Sequence, residues 1–248
     1  MANDKRRNGR RHALRGFALA TMALALTACF GDDDVLRPMV GVDRQARTAS
    51  LYGGMMSPDM FAEPETMPAS EEACRRRLRR MDVTFRDLPR ISEGGGCGIA
   101  WPVEVTGLPH GVKLKPAATV TCAMAEAVAK WTDEELVPAA RLRYLSGVDT
   151  IRQGSSYSCR RIRGSGTLSA HGTGNALDIM DITLNSGRNV DVRRPGFFSF
   201  REKSLLASVR EDACPYFSTV LGPGYDRDHR DHFHFDLMQR SSKRRVCK

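Results

Sequence analysis

The sequence reads as an α+β fold on a mainly antiparallel sheet, stapled by disulfides. Three observations carry that reading. Helical and strand-like segments are mixed without regular βαβ alternation, a hairpin signal joins two strand-like runs, and the cysteine pattern fits an oxidising compartment.

A first helix is expected over 70–81, with Glu71 and Glu72 in the first turn after Ser70. Its Arg75, Arg76, Arg77, Arg79 and Arg80 read as a solvated face. A second helix is expected over 116–131, placing Val120, Met124, Ala127, Val128 and Trp131 on a broadly apolar side. Strands over 176–184 and 189–192 flank Asn185-Ser186-Gly187-Arg188, a hairpin turn. A third helix follows over 202–213, where Leu205, Leu206 and Val209 have helical spacing. A last strand is expected over 232–238.

The start of the chain decides the compartment. Lys5, Arg6, Arg7, Arg10, Arg11 and Arg15 precede an apolar run from Phe17 to Leu26, too short to span a bilayer as a helix. That is the pattern of a secretory signal peptide. Leu26-Thr27-Ala28-Cys29 resembles a bacterial lipobox, so residues 1–28 are expected to be removed and Cys29 lipidated. Phe30, rather than Asp, after that cysteine favours the outer membrane. The expected location is periplasmic, with a lipid anchoring the protein to the cell envelope. Residues 29–69, rich in Met, Pro and Gly and without periodicity, read as a flexible tether to a domain over 70–248. No internal repeat is visible.

Composition narrows the classes further. The 248-residue chain carries a formal charge of +9, but six basic residues against Asp4 in the leader supply most of it. The remainder is modestly basic, and no aromatics interleave with the basic runs, so nucleic acid is not an expected partner. Seven cysteines include Cys29, leaving Cys74, Cys97, Cys122, Cys159, Cys214 and Cys247 for three disulfides. Six cysteines allow 15 pairings, and sequence does not choose among them. No Cys-x2-Cys pair occurs, so the cysteines read as staples, not metal ligands.

The chemistry gathers in two segments, Ser169 to Asp178 and His229 to Asp236, which hold four of the five histidines outside the leader. In a strand, His232 and His234 project to one face while Phe233 and Phe235 face a packed side. His171 lies in a glycine-containing loop and Asp178 on the strand after it, so both can turn towards one point. Imidazole and carboxylate are zinc donors, and three protein ligands leave an open position. His110 sits apart in a loop-like stretch with no evident partner.

Ser169-x-His171-x2-Gly174-x-Ala176-x-Asp178, with His232-x-His234 downstream, resembles the metallopeptidases that include D-Ala-D-Ala carboxypeptidases and lysostaphin-like endopeptidases. His229, completing His-x2-His-x-His, is similar to the murein endopeptidase branch of that group. More widely, the chain from about Cys74 onward resembles the bacterial extensin-like C-terminal domain family. Gly98-Ile99-x-x-Pro102-Val103, Ser156-Tyr157-Ser158-Cys159-Arg160 and Val220-Leu221-Gly222-Pro223 carry that likeness.

The resemblance implies a hedgehog/D-Ala-D-Ala-peptidase-like fold and a Zn2+ ion on His171, Asp178 and His234. It implies His232 as general base or oxyanion stabiliser, with His229 assisting or orienting substrate. Arg160 is either a grip on a carboxylate or oxyanion or a structural arginine beside a disulfide. Ser169 is expected to shape the ligand loop. Several relatives carry a Glu as general base where this chain has Asp231, which is shorter and alternates away from His232 in an ideal strand. The implied function is zinc-dependent cleavage of peptidoglycan stem peptides or crosslinks, by carboxypeptidase or endopeptidase action. The alternatives are a non-catalytic, zinc-containing wall-binding module and a structural envelope lipoprotein.

Overall fold

A computed structural model describes residues 66–193, 199–240 and 244–248. The leader, Cys29 and nearly all of the tether lie outside the described residues.

Helix α1 (Ala69–Arg80) forms where expected, with acidic residues in its first turn and basic ones in its last, as the helix dipole favours. Arg76, Arg79 and Arg80 are exposed on the expected solvated face, but Arg75 and Arg77 depart from it. Arg75 is buried and reaches Glu71 at 2.6 Å and Asp87 at 2.5 Å. Arg77 pairs with Glu126 at 2.8 Å. A buried guanidinium requires such partners, because stripping its water uncompensated is strongly unfavourable. Helical periodicity alone does not register them.

Strands β1 (Thr84–Asp87), β2 (Ile91–Gly94), β3 (Cys97–Ile99), β4 (Pro102–Leu108) and β5 (Val112–Thr121) follow. β5 corrects the second expected helix. Residues 116–121 are strand, and only α2 (Cys122–Trp131) is helical. Pro116 is tolerated because the ladder is interrupted around it. Pairing with β4 shifts between Lys113 and Ala118, and pairing with β6 (Val148–Ser155) ends at Lys115. A missing N–H forfeits nothing at such an irregularity. Thr121 then caps α2, its hydroxyl accepting from the Met124 amide.

Helix α3 (Val137–Tyr144) continues from α2 through a widened turn. The expected hairpin is β7 (Ala176–Leu184) with β8 (Asn189–Asp191), and the third expected helix is α4 (Phe200–Glu211). β9 (Thr219–Leu221), β10 (Phe233–Asp236) and β11 (Val246–Cys247) complete the described elements. The large sheet runs β1-β4-β5-β6-β7-β10-β9-β11, with β8 beside β7. Its pairings are antiparallel except β5–β6 and β9–β11. The fold is thus α+β on a mainly antiparallel sheet.

One face of the sheet buries Leu177, Ile179, Phe233 and Phe235 in a core shared with Met124, Val128 and Trp131 of α2. Phe235 stacks on Phe217 at 4.7 Å and meets the edge of Trp131 at 5.2 Å. The Trp131 indole N–H donates to the Val209 carbonyl, joining α2 to α4. The six expected cysteines form three bridges, Cys74–Cys122, Cys97–Cys159 and Cys214–Cys247. They close loops of 48, 62 and 33 residues, a range in which each contributes about 2–4 kcal/mol. No helix among the described residues is long and apolar enough to cross a membrane.

Candidate metal centre

Three local structures bring His171, Asp178 and His234 to one point. Ser169 opens a short 3-10 turn, Ala170–Thr173, its hydroxyl accepting from the His171 amide. Gly174 ends that turn at φ +65°, and a Cβ there would stand 2.2 Å from Ile99 Cδ1. Glycine is needed there for both backbone and space. Asp178 projects from β7 between the core residues Leu177 and Ile179. His234 sits directly opposite it on β10, flanked by the buried Phe233 and Phe235 as the alternation predicts.

His171 Nε2 lies 3.2 Å from Asp178 Oδ1 and 3.2 Å from His234 Nδ1, and the latter two are 2.8 Å apart. Donors bound to one zinc ion at tetrahedral angles stand about 3.3 Å apart, given bonds of roughly 2.0–2.2 Å. The separations within the trio therefore fit a small divalent cation after slight expansion.

The outer nitrogens are also held. His171 Nδ1 donates to the Ser156 carbonyl at 2.6 Å, which turns Nε2 towards the trio. His234 Nε2 meets Asp236 Oδ2 at 3.1 Å, which turns Nδ1 inward. Asp236 is buried and also accepts from the Met238 amide and the Thr219 hydroxyl. Carboxylates and carbonyls behind imidazoles orient metal ligands and raise their basicity.

The charges are strongly coupled. Burial opposes ionisation of Asp178, but hydrogen bonds from His171 and His234 hold its carboxyl well below the usual range. Burial likewise opposes charge on His234, yet Asp178 and Asp236 outweigh it and push its pKa up to about 9. A cation arriving at Nδ1 competes with that proton, so metal binding would release it.

The other expected site residues surround this centre. His232 immediately precedes β10, its Nε2 3.7 Å from Asp178 Oδ1 and its Nδ1 2.9 Å from Asp231 Oδ1. Asp231 does not alternate away, because residues 231 and 232 precede the regular strand. It backs the histidine, whose hydrogen bond holds the Asp231 carboxyl below its usual range. His229 packs its ring 5.4 Å from His232 and 5.6 Å from His234, with Nδ1 held by Asp226 at 2.7 Å. Arg160 follows Cys159 of the Cys97 bridge and lies 3.5 Å from Asp178 Oδ2, so it is both tethered and beside the trio. His110 is remote from this group and is not partnerless, since its Nε2 meets Asp133 at 2.6 Å.

The trio, Arg160, His229 and His232 line a pocket of about 430 Å³, together with Arg161, Arg163, Thr219, Leu221, Asp236 and Arg240. Sequence reasoning assigned no role to Asp236, although its i+2 spacing from His234 puts both on one strand face. Ser156 acts through its backbone, and Thr219 and Arg240 reach the site through tertiary pairing alone.

No curated protein and no solved structure matches the chain. A family model described as extensin-like protein C-terminus matches residues 72–248, a span holding the trio, the pocket and all three disulfides. The chain belongs to the extensin-like protein C-terminus family.

Proposed function

We propose that the protein is a zinc-dependent hydrolase cleaving amide bonds of peptidoglycan stem peptides or crosslinks, held in the periplasm by lipid on Cys29. The observation that carries this reading is the convergence of His171 Nε2, Asp178 Oδ1 and His234 Nδ1 on one point. The Ser169-to-Asp178 and His232-x-His234 motifs support kinship with the D-Ala-D-Ala-peptidase and lysostaphin-like enzymes, and with it a hedgehog/peptidase-like fold.

Zinc held by the trio would supply Lewis acidity towards a carbonyl oxygen and towards water. The chain's own groups supply the rest. His232 Nε2, at the edge of the trio, accepts the proton of the attacking water. Asp231 accepts the Nδ1 hydrogen, keeping Nε2 free beforehand and stabilising the imidazolium afterwards. The same nitrogen then returns a proton to the leaving amine. Arg160 donates to the oxygen that gains charge, and His229, fixed by Asp226, orients the peptide.

The test is zinc stoichiometry and muropeptide hydrolysis in the wild type, His234→Ala and His232→Ala. One zinc per chain is expected, lost in His234→Ala. His232→Ala should keep zinc and lose hydrolysis by about 100-fold or more. A wild type that takes up no zinc refutes the centre, and wild-type rates in His232→Ala refute the assigned base. Zinc uptake without hydrolysis by the wild type would favour the non-catalytic binding module.

A further inference from the structure

The arginines around the pocket differ in their counter-charges. Arg160 faces Asp178 and Arg163 pairs with Asp228 at 2.9 Å. Arg161 is exposed and donates to the Gly166 carbonyl. Arg240 is half-buried and donates to the Ser218 carbonyl at 3.3 Å and the Thr219 hydroxyl at 2.7 Å. Both of those acceptors are neutral. Among the described residues, no carboxylate pairs with Arg240 directly.

Arg240 is therefore a pre-oriented cation in the pocket wall. Two of its five N–H donors fix the guanidinium plane, and the rest are available to a ligand. Asp236 shares the Thr219 hydroxyl with Arg240 and already accepts from His234, Thr219 and the Met238 amide. The pocket's acids Asp178, Asp228 and Asp236 are thus engaged by other partners, and none of them pairs with Arg240.

Its position along the sheet indicates what it would meet. Arg160 stands over β7 through Asp178, and Arg240 over β9 through Thr219, with His234 of β10 between them. Neighbouring strands are about 4.8 Å apart and an extended peptide advances about 3.3 Å per residue. Thr219 pairs with Asp236, two residues along β10 from His234, so Arg240 lies roughly two or three residues along a bound peptide from an amide seated over the trio.

We infer that Arg240 forms an anion subsite recognising a substrate carboxylate roughly two or three residues from the scissile amide. This rests on the hydrolase reading and narrows its substrate class to peptides bearing a free carboxylate near the cleaved bond. The carboxylate is either the chain's terminal group or that of an acidic side chain, and the two sources are separable by amidating each in turn.

The experiment uses the mature zinc-loaded protein, Arg240→Gln and Arg240→Lys, with zinc content and circular dichroism as controls. The probes are one peptide with its carboxylates free, its C-terminal amide, and the form with the acidic side chain amidated. The wild type should prefer the free form over one amidated form by about 10- to 100-fold in kcat/KM, as a charge-assisted hydrogen bond implies. Which amide loses identifies the source. Arg240→Gln should abolish the preference, and Arg240→Lys should restore part of it.

A purely structural Arg240 would lower all three rates in the same ratio, and that result overturns the inference. So does equal hydrolysis of all three peptides by the wild type. If no peptide is cleaved, calorimetric binding of the same probes decides. Preference for the free form in the wild type but not in Arg240→Gln sustains the subsite while the hydrolase reading falls. Equal or absent binding of all forms overturns the subsite too.

Discussion

Gly174→Ala separates two sources of strain at the turn that presents His171. The first is the backbone, since φ is +65° at this position and an L-residue held there loses about 1–2 kcal/mol. The second is space. The new methyl would stand 2.2 Å from Ile99 Cδ1 and 2.8 Å from Cγ1, with the Thr121 amide nitrogen at 3.3 Å. Ile99 is 5% exposed and has little room to withdraw, so overpacking adds about 1–3 kcal/mol. Gly174→Ala should therefore destabilise by about 2–5 kcal/mol in urea unfolding. Ile99→Ala removes both clashing carbons and alone costs about 2–5 kcal/mol through its cavity. The double variant should be more stable than the sum of the two by about 1–3 kcal/mol, because the cavity accepts the methyl. Additivity to within about 0.5 kcal/mol would refute the steric argument and leave only the backbone strain.

Replacing Cys97 and Cys159 together by Ser should lower stability by about 2–4 kcal/mol and weaken zinc binding, since the bridge ties β3 to the segment leading to Arg160 and His171. Thermal unfolding and a competitive zinc titration check both, and unchanged zinc affinity would mean that the bridge does not shape the centre. Glu126→Gln tests a pH dependence. The Arg77 hydrogen bond, against burial and aided by Lys130, holds the Glu126 carboxyl below its ordinary 4.5. A depressed carboxylate stabilises the fold above the unfolded value, and that contribution disappears as pH falls through the folded value. The variant should trail the wild type by about 1 kcal/mol at pH 7 and converge with it at strongly acidic pH. A gap of equal size at both pH values would assign the loss to packing.

The elements most legible in the sequence were those with local causes. The 176–184 strand and its Asn185-Ser186-Gly187-Arg188 turn carry their own pattern, and so do α1 and α4. The His-Phe-His-Phe alternation already separated a site face from a core face. Pro116 misled because proline rarely sits inside a strand, and the interrupted pairing that accommodates it exists only after β4 and β6 have met β5. Arg75 misled for the same reason, since its burial depends on Asp87, brought there by the return of the chain. Within the site, the trio was legible as a motif, whereas Asp231's backing of His232 depends on where regular strand geometry begins. The Ser156 carbonyl left no mark in any side-chain pattern.

The direct opposition of Asp178 and His234 across β7 and β10 has a consequence for assembly of the sheet. A slip of one residue would set Phe233 or Phe235 against Asp178 and turn the histidine towards the core side. Only the native alignment then offers all three donors to a cation. A ligand stabilises only the state able to bind it, so a captured ion would proofread the strand pairing, drawing misaligned chains back to the one arrangement in which the fold and the centre coincide.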